Sequence, residues 1–447
     1  MVLRPYQKQG VAFVESREGR ALIGDAMGLG KTVQALAWLT IHPELRPAVV
    51  VCPTSVKPTW ENEINKWMKS PPKVAVLYGE KPEPVSADII IINYAILANS
   101  YDQDENEIKY SGWVDYIKDN KPQVIVIDEV QKIKNTKSYR AKAVRKLCRR
   151  VKHVIALSGT PIENGPREFY NILSLLDKTL FTYWRYMQRY CNPKWNGFGW
   201  SYKGVSHADE LHEKVKTVMI RRKKEEVAKE LPEKMSTVIP VHLDDGKSYG
   251  LAQADFEQWA KDKGNVRDDE VKNEVAKLKR ITWEGKKKQC WDWLNTFLES
   301  DEKIIVYAWH KVVLKETAHI FKSKAIRLDG STSDKRKVAK EFCTNDKIRM
   351  LCANYQVVVG MDGFQHACSN VAWLGFPWTP TVLDQANDRV HRLGQESGNV
   401  NVWYLPGQNT IETKILDVLD FKRTVFDATV EGKQTKEKSL FSYLTNN

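Results

Sequence analysis

No C-x-x-C pair occurs among the seven cysteines, so the spacing indicates neither a zinc ribbon nor a disulfide framework. No apolar run approaches the roughly 20 residues that a membrane helix needs, and the longest, Ile89 to Ile92 with its flanks, is strand-like. The opening Met1-Val2-Leu3-Arg4-Pro5 lacks the apolar centre of a signal peptide. These absences lead us to expect a reducing, intracellular setting (cytoplasm or nucleoid, or a nucleus), with no membrane partner and no metal cluster. Cys52, Cys148, Cys290, Cys343 and Cys352 stand in apolar or helical contexts and are expected to pack rather than react. A charged fraction of 28% against a hydrophobic fraction of 42% excludes a disordered chain, and 447 residues are enough for two or three domains.

Positive charge is not scarce. The net charge is +13, with clusters at Arg149-Arg150, Arg221-Arg222-Lys223-Lys224 and Lys286-Lys287-Lys288. Charge alone names no ligand, but such clusters suit a surface that follows phosphates.

The strongest motif is Asp25-Ala26-Met27-Gly28-Leu29-Gly30-Lys31-Thr32. An apolar run ending at Ile23 leads in and an apolar-periodic segment leads out, the strand–turn–helix context of a phosphate-binding loop. Its glycines let backbone N–H groups converge on an anion at a helix N-terminus. Lys31 adds a charge for the β- and γ-phosphates of ATP, and the Thr32 hydroxyl can ligate Mg²⁺. Asp25 stands where the usual pattern has glycine.

Buried strands are predicted at 48–52, 89–92, 124–127 and 154–157, alternating with helical stretches, which indicates a doubly wound parallel sheet. A helix near Thr59 carries Trp60, Ile64 and Trp67 on one face. Asp128-Glu129 follows one strand and Ser158-Gly159-Thr160 another, at the carboxyl edge where ligands collect in such sheets. One carboxylate can hold Mg²⁺ while the other orients the attacking water. Gln7, about twenty residues before the loop, offers an amide that suits the N6/N7 edge of adenine, or simply starts a helix after Pro5.

An aromatic-rich stretch, about 166–235, reads as a helical insertion that ends in a basic helix with Arg221 and Arg222. A charged helical bridge, about 245–290, leads to a second α/β half with strands at 304–307, 325–328, 350–353 and 371–374. That half has no phosphate loop, but Arg389 and Arg392, three apart, are predicted on one helical face. They could serve as arginine fingers, a role worth about 10³–10⁵ in rate.

In order, Gln7, GDAMGLGKT (24–32), DEVQ (128–131), LSGTPIEN (157–164), LDGSTS (328–333), GMDG (360–363) and DQANDRVHRLGQ (384–395) resemble the Swi/Snf branch of superfamily-two ATPases. The compact annealing-helicase and fork-remodelling group is the nearest in pattern. That branch normally reads D-E-M-G-L-G-K-T, which accounts for Asp25. The resemblance implies two RecA-like lobes, an α/β fold of doubly wound parallel sheets: 1–240, and 241–447 ending in helices over about 411–447, one of them a brace helix. It implies a monomeric double-stranded DNA translocase, on forked or branched DNA, that uses ATP and Mg²⁺. Gln7, Asp25, Met27, Gly28, Leu29, Gly30, Lys31, Thr32, Gly360 and Asp362 would surround the nucleotide with Arg389 and Arg392. Thr32 and Asp128 would hold the metal; Gln131, Ser158, Thr160 and Gln385 would couple sites. Thr54, Asn93, Tyr94, Gly330 and Trp378 would face DNA. Two departures stand out. Gln131 replaces the branch's usual histidine, and 354–359 is more apolar than the Gly-rich version. A strand-separating helicase and an inactive DNA-binding scaffold remain as alternatives, although no wedge element is evident in the sequence.

Overall fold

The computed structural model describes residues 2–431, apart from 71, 80, 99–111, 196–198, 203, 264–267 and 359. The chain divides into two compact units. The first runs to Ala228 and includes 424–431 of the C-terminal helix; the second runs Lys229–Arg423.

The first unit is built on β1 (Arg20–Ile23), β2 (Ala48–Cys52), β3 (Val74–Val76), β4 (Ile89–Asn93), β5 (Val124–Asp128) and β6 (His153–Leu157). The ribbon strands β7 (Lys194–Trp195) and β8 (Trp200–Ser201) follow, and β9 (Met219–Ile220) returns to the sheet. The order is β3-β4-β2-β5-β6-β1-β9, and every pairing is parallel. The central strands are buried on both faces, as their unbroken aliphatic runs require. Ile90, Ile92, Val49, Val51, Ile125 and Ile127 fill one face. Ile89, Ile91, Val50, Val124 and Val126 fill the other. The period of two in a strand separates these sets.

The second unit carries β10 (Glu233–Val238), β11 (Ile304–Tyr307), β12 (Ala325–Leu328), β13 (Met350–Ala353), β14 (Asn370–Trp373) and β15 (Asn399–Tyr404). They form a parallel sheet ordered β10-β15-β14-β11-β13-β12. Both units are therefore the expected α/β type with doubly wound parallel sheets.

Four features differ from the sequence reading. The first unit closes at Ala228, not 240, because β10 pairs along its whole length with β15. The 166–235 stretch is not only helical: beside helices Pro166–Leu176, Tyr183–Tyr190 and Ala208–Lys216 it contributes the β7–β8 ribbon and the sheet strand β9. Arg221 and Arg222 follow β9 and lie on no helix, since the backbone there continues alongside 24–26. The helix before Arg389 stops at Asn387, so both arginines sit in the turn beyond it. Beyond these, the predicted bridge forms helices Gly246–Lys263 and Asp268–Phe297, and the C-terminal helix is Ile411–Glu431. The remainder of the 411–447 prediction, Val359 in the apolar segment, and the tip of the Trp195–Trp200 turn lie outside the described residues.

Candidate functional site

β1 ends at Ile23 and the chain turns through Gly28 and Gly30, with φ of 82° and 75°, before the helix Lys31–Ile41 begins. Gly30 is also a close approach: a Cβ there would lie 2.6 Å from Nε2 of Gln7. That amide donates to the Leu29 carbonyl at 3.2 Å, while its Oε1 accepts the Arg4 N–H at 3.0 Å. Gln7 is thus buried and tied to the loop. The Lys31 ammonium curls over the same loop, donating to the Asp25 carbonyl at 2.9 Å. Burial pushes its pKa down, and Glu129, Asp25 and Asp128 pull it back up.

Asp25 is fully buried. Arg222 grips it through both nitrogens of a fork, Nε to Oδ1 at 2.9 Å and Nη2 to Oδ2 at 2.6 Å. Gln34 donates to Oδ2 at 2.8 Å and accepts from Arg222 at 3.0 Å. Arg222 also donates to the Tyr6 carbonyl. Arg221 donates to the carbonyls of Gly24 at 2.8 Å and Gly159 at 3.0 Å. These two arginines are therefore the outer wall of the phosphate loop, not part of a phosphate-tracking surface. Lys224 is buried as well, and Lys286 is buried against Glu412 at 2.6 Å. Arg149 and Arg150 do stay exposed. Nothing in the motif Arg-Arg-Lys-Lys distinguishes inside from outside; the signal was the acidic residue at loop position 25, which needs a buried partner.

β5 delivers Asp128 and Glu129 beyond the sheet's carboxyl edge, and Glu129 adopts a left-handed φ of 52°. Such a conformation is rare for a residue with a side chain and is found where function demands an orientation. Trp60 donates to Asp128 Oδ2 at 2.9 Å, the Glu129 N–H to Oδ1 at 2.9 Å, and the Tyr94 hydroxyl to the Asp128 carbonyl at 2.6 Å. Burial first, then the charge of Glu129, raises the Asp128 carboxyl from 3.8 to about 6. Two adjacent carboxylates, one of them raised by burial and by the charge of the other even with Lys31 nearby, suit a divalent cation. The Thr32 hydroxyl makes no hydrogen bond among the described residues, which fits the second ligand position.

A relay leads away from this pair. Gln131 donates to the Glu129 carboxylate and accepts from the Ser158 hydroxyl at 2.7 Å; Ser158 Oγ in turn accepts the Thr160 N–H at 3.0 Å. A glutamine fills this role because it donates at one end and accepts at the other, with no proton to lose. Thr160 Oγ1 is buried without a partner among the described residues.

In the second unit, the 384–395 segment is pinned from inside. Trp373 donates to Asn387 at 2.9 Å, His391 Nε2 meets the Pro232 carbonyl at 2.9 Å, and Gln395 donates to the carbonyls of Cys368 and Val390 at 3.0 Å. Gln385 is buried on the helix Pro380–Asn387. Held this way, the turn sends Arg389 and Arg392 to one carboxylate, Asp362, in the loop between the positive-φ glycines Gly360 and Gly363. Arg389 also donates to the Met361 carbonyl at 3.0 Å. One acid thus gathers both predicted fingers.

The five residues expected to face DNA are not alike. Thr54 is exposed and accepts from buried Asn93 at 3.0 Å. Tyr94 is buried and its hydroxyl donates to the Asp128 backbone carbonyl, so it braces the end of β5 instead of forming a surface. Gly330 is exposed in a turn fixed by Asp329 and Ser331, with Lys311 nearby. Trp378 is half-buried under the Lys279 ammonium, 4.7 Å from its ring.

Residues 6–290 match the SNF2-related domain and residues 286–394 the helicase conserved C-terminal domain. The bovine protein named DNA annealing helicase and endonuclease ZRANB3 is 29% identical over 97% of this chain and 41% of its own length. The SWI/SNF-related matrix-associated actin-dependent regulator of chromatin subfamily A-like protein 1 of Xenopus laevis is 32% identical over 98% of this chain and 47% of its own. The chain therefore spans less than half the length of these two relatives. The solved Sulfolobus solfataricus SWI2/SNF2 ATPase core in complex with dsDNA is 26% identical, with a TM-score of 0.44, over 97% of this chain and 94% of that one.

Proposed function

The chain belongs to the SNF2-related family, and on that premise we propose that it is an ATPase that moves along double-stranded DNA. The observation that carries the reading is the hydrogen-bonded run from Asp128 and Glu129 through buried Gln131 and Ser158 to Thr160, set beside the Lys31 loop. An inactive scaffold would have no reason to hold a strained glutamate and two like charges together, at a cost in stability.

In this reading the loop N–H groups and Lys31 bind the phosphates, and Gln7 orders the loop from behind. Thr32 and Asp128 would hold Mg²⁺, which supplies charge neutralisation on the phosphates. Glu129 orients the attacking water, its carboxylate held by Gln131. Occupancy of the site changes what Gln131 can donate to, and Ser158 and Thr160 pass that change to the edge of the sheet. Arg389 and Arg392 neutralise charge that develops in the transition state. DNA backbone contacts are salt-sensitive and nearly blind to sequence, as a translocase requires. Forked or branched DNA, where single strands stand free to anneal, is the form this reading prefers, in keeping with a relative named a DNA annealing helicase.

Phosphate release measured with duplex DNA, forked DNA, single strands and RNA tests this. Duplex or forked DNA should stimulate it strongly and RNA should not, and Lys31→Ala should abolish turnover. Equal turnover with and without DNA would remove the motor reading.

A further inference from the structure

Helix Tyr183–Tyr190 ends at Cys191, and the chain then leaves the first unit as the two-stranded ribbon β7–β8. Its base is fixed by backbone bonds from Gly204 to Cys191 and from Ser206 to Tyr190. Trp195 and Trp200 are directly paired across the ribbon, edge to face, with ring centroids 5.8 Å apart. Each indole nevertheless remains exposed, at 59% and 60%. Trp184, on the preceding helix, is 64% exposed. Edge-to-face contact explains how two-residue strands hold together. It does not explain why three of the largest apolar side chains face water when single exposed aromatics are normally dispersed.

The charge around them selects the partner. Between Asp177 and Asp209 the sequence has no carboxylate, while Lys178, Arg185, Arg189, Lys194 and Lys203 are all basic. Arg185 and Lys194 are exposed beside the tryptophans in sequence. Arg189 is held by Glu210 at 2.6 Å. Open indoles within an all-basic stretch suit unpaired nucleotides, whose bases stack on aromatic faces while phosphates meet the cations.

We propose that the β7–β8 ribbon is a stacking platform for unpaired bases of single-stranded DNA, such as those exposed at a branch point. This rests on the reading of DNA as the substrate and adds to it a structure-selective element that the motor core does not supply. Each indole lost should weaken binding to single-stranded arms about tenfold, while sparing duplex.

The unaltered 447-residue chain is irradiated with forks carrying 5-iodouracil in the single-stranded arm next to the junction, and adducts are mapped by mass spectrometry. Adducts on Trp195 or Trp200 are expected; adducts confined to other residues overturn the proposal. In parallel, Trp195→Ala/Trp200→Ala should bind oligodeoxythymidine much more weakly and lose the extra phosphate release that forks give over duplex. Unchanged affinity, or equal losses on duplex and single strands, also overturns it, as would a surface that takes a protein and no single strand. Because crosslinking uses the unaltered chain, it decides even if the variant folds poorly. Failure of the motor reading is distinct: wild-type turnover would then ignore duplex DNA, whatever the adducts show.

Discussion

Asp128 is one group through which pH acts on this chain. Its folded pKa of about 6 lies above the ordinary 3.8, so ionised Asp128 costs stability above pH 6. That cost is relieved as pH falls from about 6 towards 4. With Asp128 as the proposed Mg²⁺ ligand, metal binding would run the other way, because it needs the carboxylate. Magnesium titrations of phosphate release should therefore show weaker apparent affinity at about pH 5.5 than at about pH 7.5, and an unchanged midpoint would remove Asp128 from the metal site. At Gln131, alanine breaks the link between Glu129 and Ser158. Turnover should fall roughly tenfold, about what one hydrogen bond to a charged group is worth, with nucleotide affinity retained. Steady-state rates and binding of a fluorescent nucleotide analogue separate the two. Arg392→Ala should lower kcat by about 10³ and leave nucleotide binding nearly intact, if its guanidinium acts in the transition state.

At the level of elements, the Asp25–Arg222 pair links the phosphate loop to the segment after β9. Arg222→Met leaves a buried carboxylate unpaired and should cost about 3–5 kcal/mol. Adding Asp25→Asn should restore most of that, and denaturant midpoints for the three variants check it. This pair also marks the limit of what the sequence revealed. Strands β2, β4, β5 and β6 were legible because they are unbroken aliphatic runs bounded by polar residues, and so were β11–β14. β10 is exposed throughout and leaves no apolar pattern, and β3 is an apolar run of only three half-buried residues, too short to stand out as a strand. β9 is two residues long and is called into the sheet by β1 alone. The site motifs were legible by spacing, whereas their supports were not: Trp60, Tyr94 and Arg222 reach Asp128 and Asp25 only through the fold. Arg389 and Arg392 were legible as a pair but not as the ligands of Asp362, which only the loop after β13 brings to them.

For the whole molecule, two parallel sheets in a single chain carry different parts of the proposed ATPase machinery. The first unit has the loop, the carboxylates and the relay; the second has the arginine pair and no phosphate loop. Two cations of the basic clusters, Arg222 and Lys286, are paired inside with Asp25 and Glu412, so the clusters overstate the basic surface although each pair is neutral and leaves the net charge unchanged. The direct test of the central claim is displacement of a triplex-forming strand from otherwise intact duplex DNA. ATP-dependent displacement by the wild-type chain is expected, and none by Lys31→Ala, without separation of the underlying duplex. Displacement that proceeds equally without ATP, or duplex-stimulated turnover with no displacement at all, would contradict it.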